Sequence, residues 1–148
     1  MPKILDVLIV DDSPTAREML SQIVNTAPDM RVVGPAKDGV EAVEMVHTLH
    51  PDIILMDVIM PRMNGLEATR EIMYAVPTPI VLVSASLETH ETGIAFQAMS
   101  LGALALHRKP NGPMHADYVI EATALVNKLR LMAGVQVIRH RKSHVSSV

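Results

Sequence analysis

PDIILMDVIMPRMNG, residues 51–65, sets four apolar residues in a row before an acid and a loop of Pro, Asn and Gly. Ile53 to Met56 suit a strand buried on both faces, the habit of parallel sheets. Pro51 and Asp52 punctuate its entry, and Pro61, Asn64 and Gly65 its exit. Asp57 then stands at the carboxyl end of a central strand. Open α/β sheets bind their ligands in the crevice beyond those ends.

Three further runs repeat the arrangement. Val7 to Val10 end in Asp11 and Asp12, Ile80 to Val83 end in Ser84, and Leu104 to His107 are soon followed by Lys109. Helical patterns fall between them. Ser13-Pro14 gives an N-cap with Pro at the first helical position. The helix it opens runs to about Thr26, with Ala16, Met19, Leu20 and Ile23 on one face. A short strand follows over Arg31–Ala36. Asp38-Gly39 turns into a helix over about 39–50, with Val40, Val43, Val46 and Leu49 facing inward. Leu66–Val76 is the third helix, 87–101 the fourth and about 115–132 the fifth, with the last strand at Ala103–His107. In the fourth helix Ile94, Ala95, Met99 and Leu101 read as core. Strands alternating with helices predict an α/β fold, a (βα)₅ doubly wound parallel sheet.

The strand ends collect three carboxylates, a hydroxyl and an ammonium. Clustered carboxylates repel, so at least one pKa rises unless a cation is present. Such hard oxygen ligands suit Mg²⁺ or Mn²⁺. A carboxylate can also carry a phosphoryl group as a nucleophile. Lys109 and Ser84 would help to neutralise the transferred group.

With 148 residues, a single domain is expected. Net charge is −3, but Arg139, Arg141 and Lys142 place three positive charges in residues 134–148 with no acid, leaving −6 on residues 1–133. An acidic body is not the footprint of a nucleic-acid binder. No cysteine is present, which fits a cytoplasmic location. No apolar run approaches the roughly 18 residues of a membrane span. The seven His show no close ligand spacing, and His47, His50, His90 and His115 read as surface or helix-end residues. Residues 1–133 form the expected domain, and 134–148 read as a basic linker or tail.

The segments VDDS (10–13), PDIILMDVIMPRMNG (51–65), VSAS (83–86) and RKP (108–110) together, in that order, resemble the receiver domain of two-component response regulators. The resemblance covers roughly residues 3–132. It implies a flavodoxin-like fold with strand order 2-1-3-4-5 and a phosphorylation-dependent switch served by a sensor histidine kinase. Asp57 matches the phosphoryl acceptor. Asp11 and Asp12 match the acidic pair that holds Mg²⁺, and Ile59 gives that metal only its backbone carbonyl. Ser84 matches the switch hydroxyl and Lys109 the phosphoryl-pairing lysine. Lys109-Pro110 resembles a peptide bond that is cis in the family, and Gly65 a loop glycine with an unusual backbone angle. Leu106 stands where the family usually has a switch aromatic, and alternation puts His107 on the other face. Ile59 and Ser86 occupy the positions that tune attack by water. An apolar Ile59 cannot orient a water, so a long-lived phosphoryl group is expected. The fourth and fifth helices would serve partner docking or a homodimer.

One branch is especially similar. DVLIVDDSPTAREMLSQIVNTAPDMRVVGPAKDGVEAVE, PRMNGLEATREIM and PTPIVLVSAS resemble the receiver of chemotaxis-type protein-glutamate methylesterases, and LMAGVQVIRHRK resembles the linker that follows it. The esterase itself needs a Ser nucleophile with a base. No G-x-S-x-G element occurs, so the chain is not expected to be that enzyme. The fifteen residues 134–148 are also expected to be too few for a helix-turn-helix output domain. Two other readings stand beside the switch. A phosphohydrolase would need a second acid at position 59, which is Ile. A pseudo-receiver would not need Asp11, Asp12, Asp57, Ser84 and Lys109 together.

Overall fold

The computed structural model describes residues 3–85 and 92–139. The elements are β1 (Leu5–Val10), α1 (Pro14–Asn25), β2 (Met30–Ala36), α2 (Gly39–Leu49), β3 (Ile53–Asp57), α3 (Gly65–Ala75), β4 (Ile80–Ser84), α4 (Thr92–Ser100), β5 (Ala105–Arg108) and α5 (Tyr118–Ala133). All five strands are parallel, in the order 2-1-3-4-5. The expected (βα)₅ doubly wound sheet is therefore present.

Strand alternation splits the interior in two. Leu8, Val10, Ile54, Met56, Ile80 and Leu82 point to a core shared with α2, α3 and α4. Val7, Ile9, Ile53, Leu55, Val81 and Val83 point to a second core shared with α1 and α5. All twelve are fully buried. Both faces are covered by helices, as the continuous apolar runs required.

Helices α1, α2 and α3 start on side-chain caps. Ser13 Oγ accepts the Ala16 N–H at 3.2 Å, with Pro14 at the first helical position as expected. The Asp38 carboxylate accepts the Glu41 N–H at 2.9 Å. Asn64 and Glu67 form a reciprocal capping box at the start of α3.

Several expectations need correction. In α2 the inward stripe is Gly39, Ala42, Val43 and Val46, while Val40 and Leu49 are each 40% exposed. A spacing of three drifts around a helix of 3.6 residues per turn, so 40-43-46-49 cannot stay on one face. In α4 the residue that reaches the core is Ala98, with Ile94 beside it, and Met99 lies at the surface. The expected start of α4 at 87 lies outside the described residues. The cis peptide bond found among the described residues is Gly34–Pro35, and Lys109–Pro110 is trans. The two isomers of an X–Pro bond differ by only about 0.5–1 kcal/mol, so local surroundings decide between them. Here Gly34, at φ 105°, and Pro35 interrupt the pairing of edge strand β2 with β1.

The chain does not leave the domain at the end of α5. Met132 and Ala133 pack against the α1–α5 core, but Val137 packs against the opposite one. Residues 134–139 therefore pass from one face of the sheet to the other.

Candidate functional site

The sequence order 2-1-3-4-5 reverses direction at β1 and β3, which are hydrogen-bonded neighbours. The connections leaving these two strands go to opposite faces, and a crevice opens between them. β1 delivers Asp11 and Asp12 there, and β3 delivers Asp57. One carboxylate oxygen from each of the three lies within 4.8 Å of the others. Asp11 is fully buried and Asp57 nearly so, while Asp12 is exposed.

Lys109, just beyond β5, reaches across the sheet into this cluster. Its Nζ donates to Asp11 Oδ2 at 2.7 Å and to Asp57 Oδ2 at 3.2 Å. Its own N–H donates to the Ser84 carbonyl at 2.8 Å, which ties it to the end of β4. Ser84 is buried next to Val83, the β4 partner of Asp57. The five residues expected to share a site are thus placed around one crevice.

The electrostatics follow from burial and crowding. Burial pushes the Asp57 carboxyl above its ordinary pKa, and the Asp11 charge adds to the rise, against the pull of Lys109. Burial works against the Lys109 charge, but Asp11 and then Asp57 outweigh it and hold its pKa above the usual value. The arrangement sets the carboxyl groups of Asp11, Asp12 and Asp57 around a single ammonium.

The donor set suits a divalent cation. Among the described residues Asp57 Oδ1 has only a long 3.4 Å contact with the Ile59 N–H, and Asp12 is open to solvent. Asp11 Oδ1 accepts the Ser13 N–H at 2.9 Å and is thereby oriented. Hard carboxylate oxygens with an open side match Mg²⁺, which keeps several waters.

Gly65 is required for a different reason from the one expected. It does not adopt positive φ. Its N–H donates to the Val58 carbonyl at 2.8 Å, and a Cβ there would lie 2.3 Å from the Asp57 carbonyl oxygen. Close approach of α3 to the end of β3 leaves no room for a side chain. The unusual angle falls on Arg62, at φ 66°.

Ile59 is 68% exposed at the mouth of the crevice. Leu106 is half-buried on the α2–α3–α4 side and Ala105 belongs to the opposite core, so His107 shares the face of Ala105 as alternation required. The His107 ring nitrogen Nδ1 lies 2.8 Å from the Arg108 carbonyl. Ser86 lies outside the described residues.

Three contacts around the site had no signal in the reading of the sequence. Arg17 Nη1 donates to the Asp11 carbonyl at 2.7 Å. Glu121 accepts from the Asn111 N–H at 3.1 Å and so ties down the loop after Lys109. Arg62 donates to buried Asp38. Each joins residues distant in sequence, or a side chain to backbone, and leaves no local pattern.

The profile of the response regulator receiver domain matches residues 7–117. A protein-glutamate methylesterase/protein-glutamine glutaminase of Myxococcus xanthus is 47% identical over 135 residues, 91% of this chain and 38% of the relative. The response regulator domain of Thermotoga maritima CheB superposes with a TM-score of 0.81 at 40% identity, covering 90% of this chain and 99% of that one. CheY6 from R. sphaeroides, solved in complex with the P1 domain of CheA3, gives a structure match with a TM-score of 0.73, 28% identity, and coverage of 90% and 99%. The chain belongs to the response regulator receiver domain family. Within it, the similarity runs to the receiver part of chemotaxis methylesterases, and the chain spans about 38% of such a relative's length.

Proposed function

We propose that this domain is a phosphorylation-dependent switch in which Asp57 accepts a phosphoryl group from a histidine kinase. The observation that carries the reading is the Lys109 ammonium bridging Asp11 and Asp57 beside Asp12. A carboxylate oxygen of Asp57 attacks phosphorus. The bond from phosphorus to the kinase imidazole nitrogen breaks, and that nitrogen keeps the electron pair. Phosphoryl transfer needs in-line positioning and neutralised charge more than covalent help. Lys109 is within reach of the acceptor and supplies one positive charge. The Ser84 hydroxyl, at the end of the adjacent strand, suits a hydrogen bond to a phosphoryl oxygen. Asp11, Asp12, Asp57 and the Ile59 carbonyl would hold Mg²⁺ or Mn²⁺, which when bound neutralises phosphoryl oxygens.

The reading extends to partners. A P1 domain of the CheA type is the natural class of donor, given the CheY6 complex with CheA3. Residues 1–133 act as the receiver and 134–148 as a basic linker whose first part, through Val137, stays packed on that receiver. Docking of an output partner, or pairing with a second copy, uses α4 and α5. A cytoplasmic location fits these partners; among the described residues no helix is long and apolar enough to cross a membrane. Residue coverage of the methylesterases supports a second reading, a regulatory receiver of a methylesterase-type regulator.

Intact mass after incubation with acetyl phosphate and Mg²⁺ tests the switch. Wild type gains one phosphoryl group of about 80 Da and Asp57→Ala gains none. Wild type that stays at its starting mass with both the small donor and a cognate kinase sinks the reading. After donor removal, the exposed apolar Ile59 leaves the phosphoryl group long-lived. A half-life of seconds contradicts that part.

A further inference from the structure

We propose that Arg62 is a positioning residue for phosphoryl transfer: through buried Asp38 it fixes the loop that follows Asp57, and with it the Ile59 backbone beside the acceptor. The proposal rests on Asp57 as acceptor. It concerns a pair to which the reading of the site assigns no role.

The loop of residues 58–64 is tied at its ends by backbone bonds. The Val58 N–H donates to the Val83 carbonyl at 3.0 Å, and the Gly65 N–H to the Val58 carbonyl at 2.8 Å. Its middle is held from α2. The Gly39 N–H donates to the Met63 carbonyl at 3.0 Å, and a Cβ on Gly39 would lie 2.5 Å from that same oxygen. Next to this contact, the Met63 N–H donates back to the Pro61 carbonyl at 2.8 Å. That closes a three-residue turn around Arg62, whose φ is 66°. Turns of this hand are rare and strained for a residue with a side chain. Strained backbone persists where its surroundings over-determine it, and it gathers at functional sites.

The surroundings here are electrostatic. The Asp38 side chain is 2% exposed, and the Arg62 guanidinium donates to its Oδ2. Oδ1 of the same carboxylate caps α2 through the Glu41 N–H. Removing the guanidinium would leave a buried carboxylate without its cation. Both oxygens are thus spent, one on α2 and one on the loop, so a single carboxylate fixes the loop relative to the helix. The pair borders the acidic cluster: Asp12, Lys37, Asp38, Pro61 and Arg62 line one cleft. At the other end of the loop, the 3.4 Å contact from the Ile59 N–H to Asp57 Oδ1 lengthens or shortens with any change in its course.

The test measures phosphorylation rate against phosphoramidate concentration, and Mg²⁺ dissociation by calorimetry, for Arg62→Ala, Asp38→Asn, the double variant and Arg62→Lys. Asp38→Asn keeps the cap acceptor, so it folds even where another variant fails. Arg62→Ala and Asp38→Asn each lower the plateau rate and weaken Mg²⁺ binding by about tenfold, as loss of outer-shell partners does. The half-saturating donor concentration stays unchanged. The double variant is no worse than either single one, and Arg62→Lys recovers most of the rate. Ile72→Val, a core change in α3, lowers the melting temperature without moving either quantity. Wild-type rates and Mg²⁺ affinity in the variants, or the same losses in Ile72→Val, overturn the proposal and leave Asp57 as acceptor intact. Wild type that takes no phosphoryl group, measured beside Asp57→Ala, removes the acceptor reading and this proposal together.

Discussion

Asp57 is a carboxylate held against its own charge. Its pKa is raised by burial first and by Asp11 second. A group whose folded pKa lies above its unfolded one favours folding most at low pH, and that contribution is lost as pH rises through the folded pKa. Without divalent cation, the Asp57 charge therefore destabilises the fold above that raised pKa. Asp57→Asn is expected to raise the melting temperature at pH 7 in chelator by a few degrees. The gap to wild type closes as pH falls through the raised pKa and the wild-type carboxyl takes up a proton. Equal melting curves at pH 7 would contradict this. The acid itself was legible from the sequence, because an apolar run ending in Asp needs no partner to be seen. Arg62 was not. Its left-handed backbone and its bond to Asp38 depend on a loop and a helix meeting across 24 positions.

Elements were legible where one signal dominates. Four apolar runs gave four strands, and Ser13-Pro14 gave the start of α1. The face of α2 was misread because valines at 40, 43, 46 and 49 follow a spacing of three, whereas burial follows Gly39, Ala42, Val43 and Val46. Small residues carry the contact, and apolarity alone does not single them out. The start of α3 was also placed late, since Asn64 and Gly65 read as loop. In fact Asn64 Oδ1 accepts the Glu67 N–H at 2.8 Å, and the Glu67 carboxylate accepts the Asn64 N–H at 3.0 Å. Asn64→Ala removes the first of these bonds. A loss of about 1 kcal/mol is expected in urea unfolding, within the range for N-caps. No loss would mean that Gly65 packing alone sets the helix start.

Across the whole molecule, one sheet serves two cores. Every central strand sends alternate residues to each, so neither core can open without the strands of the other. Leu8 is fully buried, and a Cβ on Gly34 would meet its Cδ1 at 2.7 Å. Leu8→Ala is expected to cost about 2–5 kcal/mol. The loss should appear equally in amide exchange of β1 and of α5, although Leu8 faces away from α5. Protection lost on one face only would show two separable units. The order 2-1-3-4-5 could be anticipated only from family resemblance, because the apolar runs say which segments are strands but not which lie side by side.

The crossing of residues 134–139 adds a mechanical consequence. Ala133 is anchored in one core and Val137 in the other. The segment acts as a lace around the sheet, so load applied beyond Arg139 meets the α2–α3–α4 side before it reaches α5. A tug on the chain, or slack in it, is thus transmitted to the face that carries Leu106, across the sheet from the helix the segment grows out of.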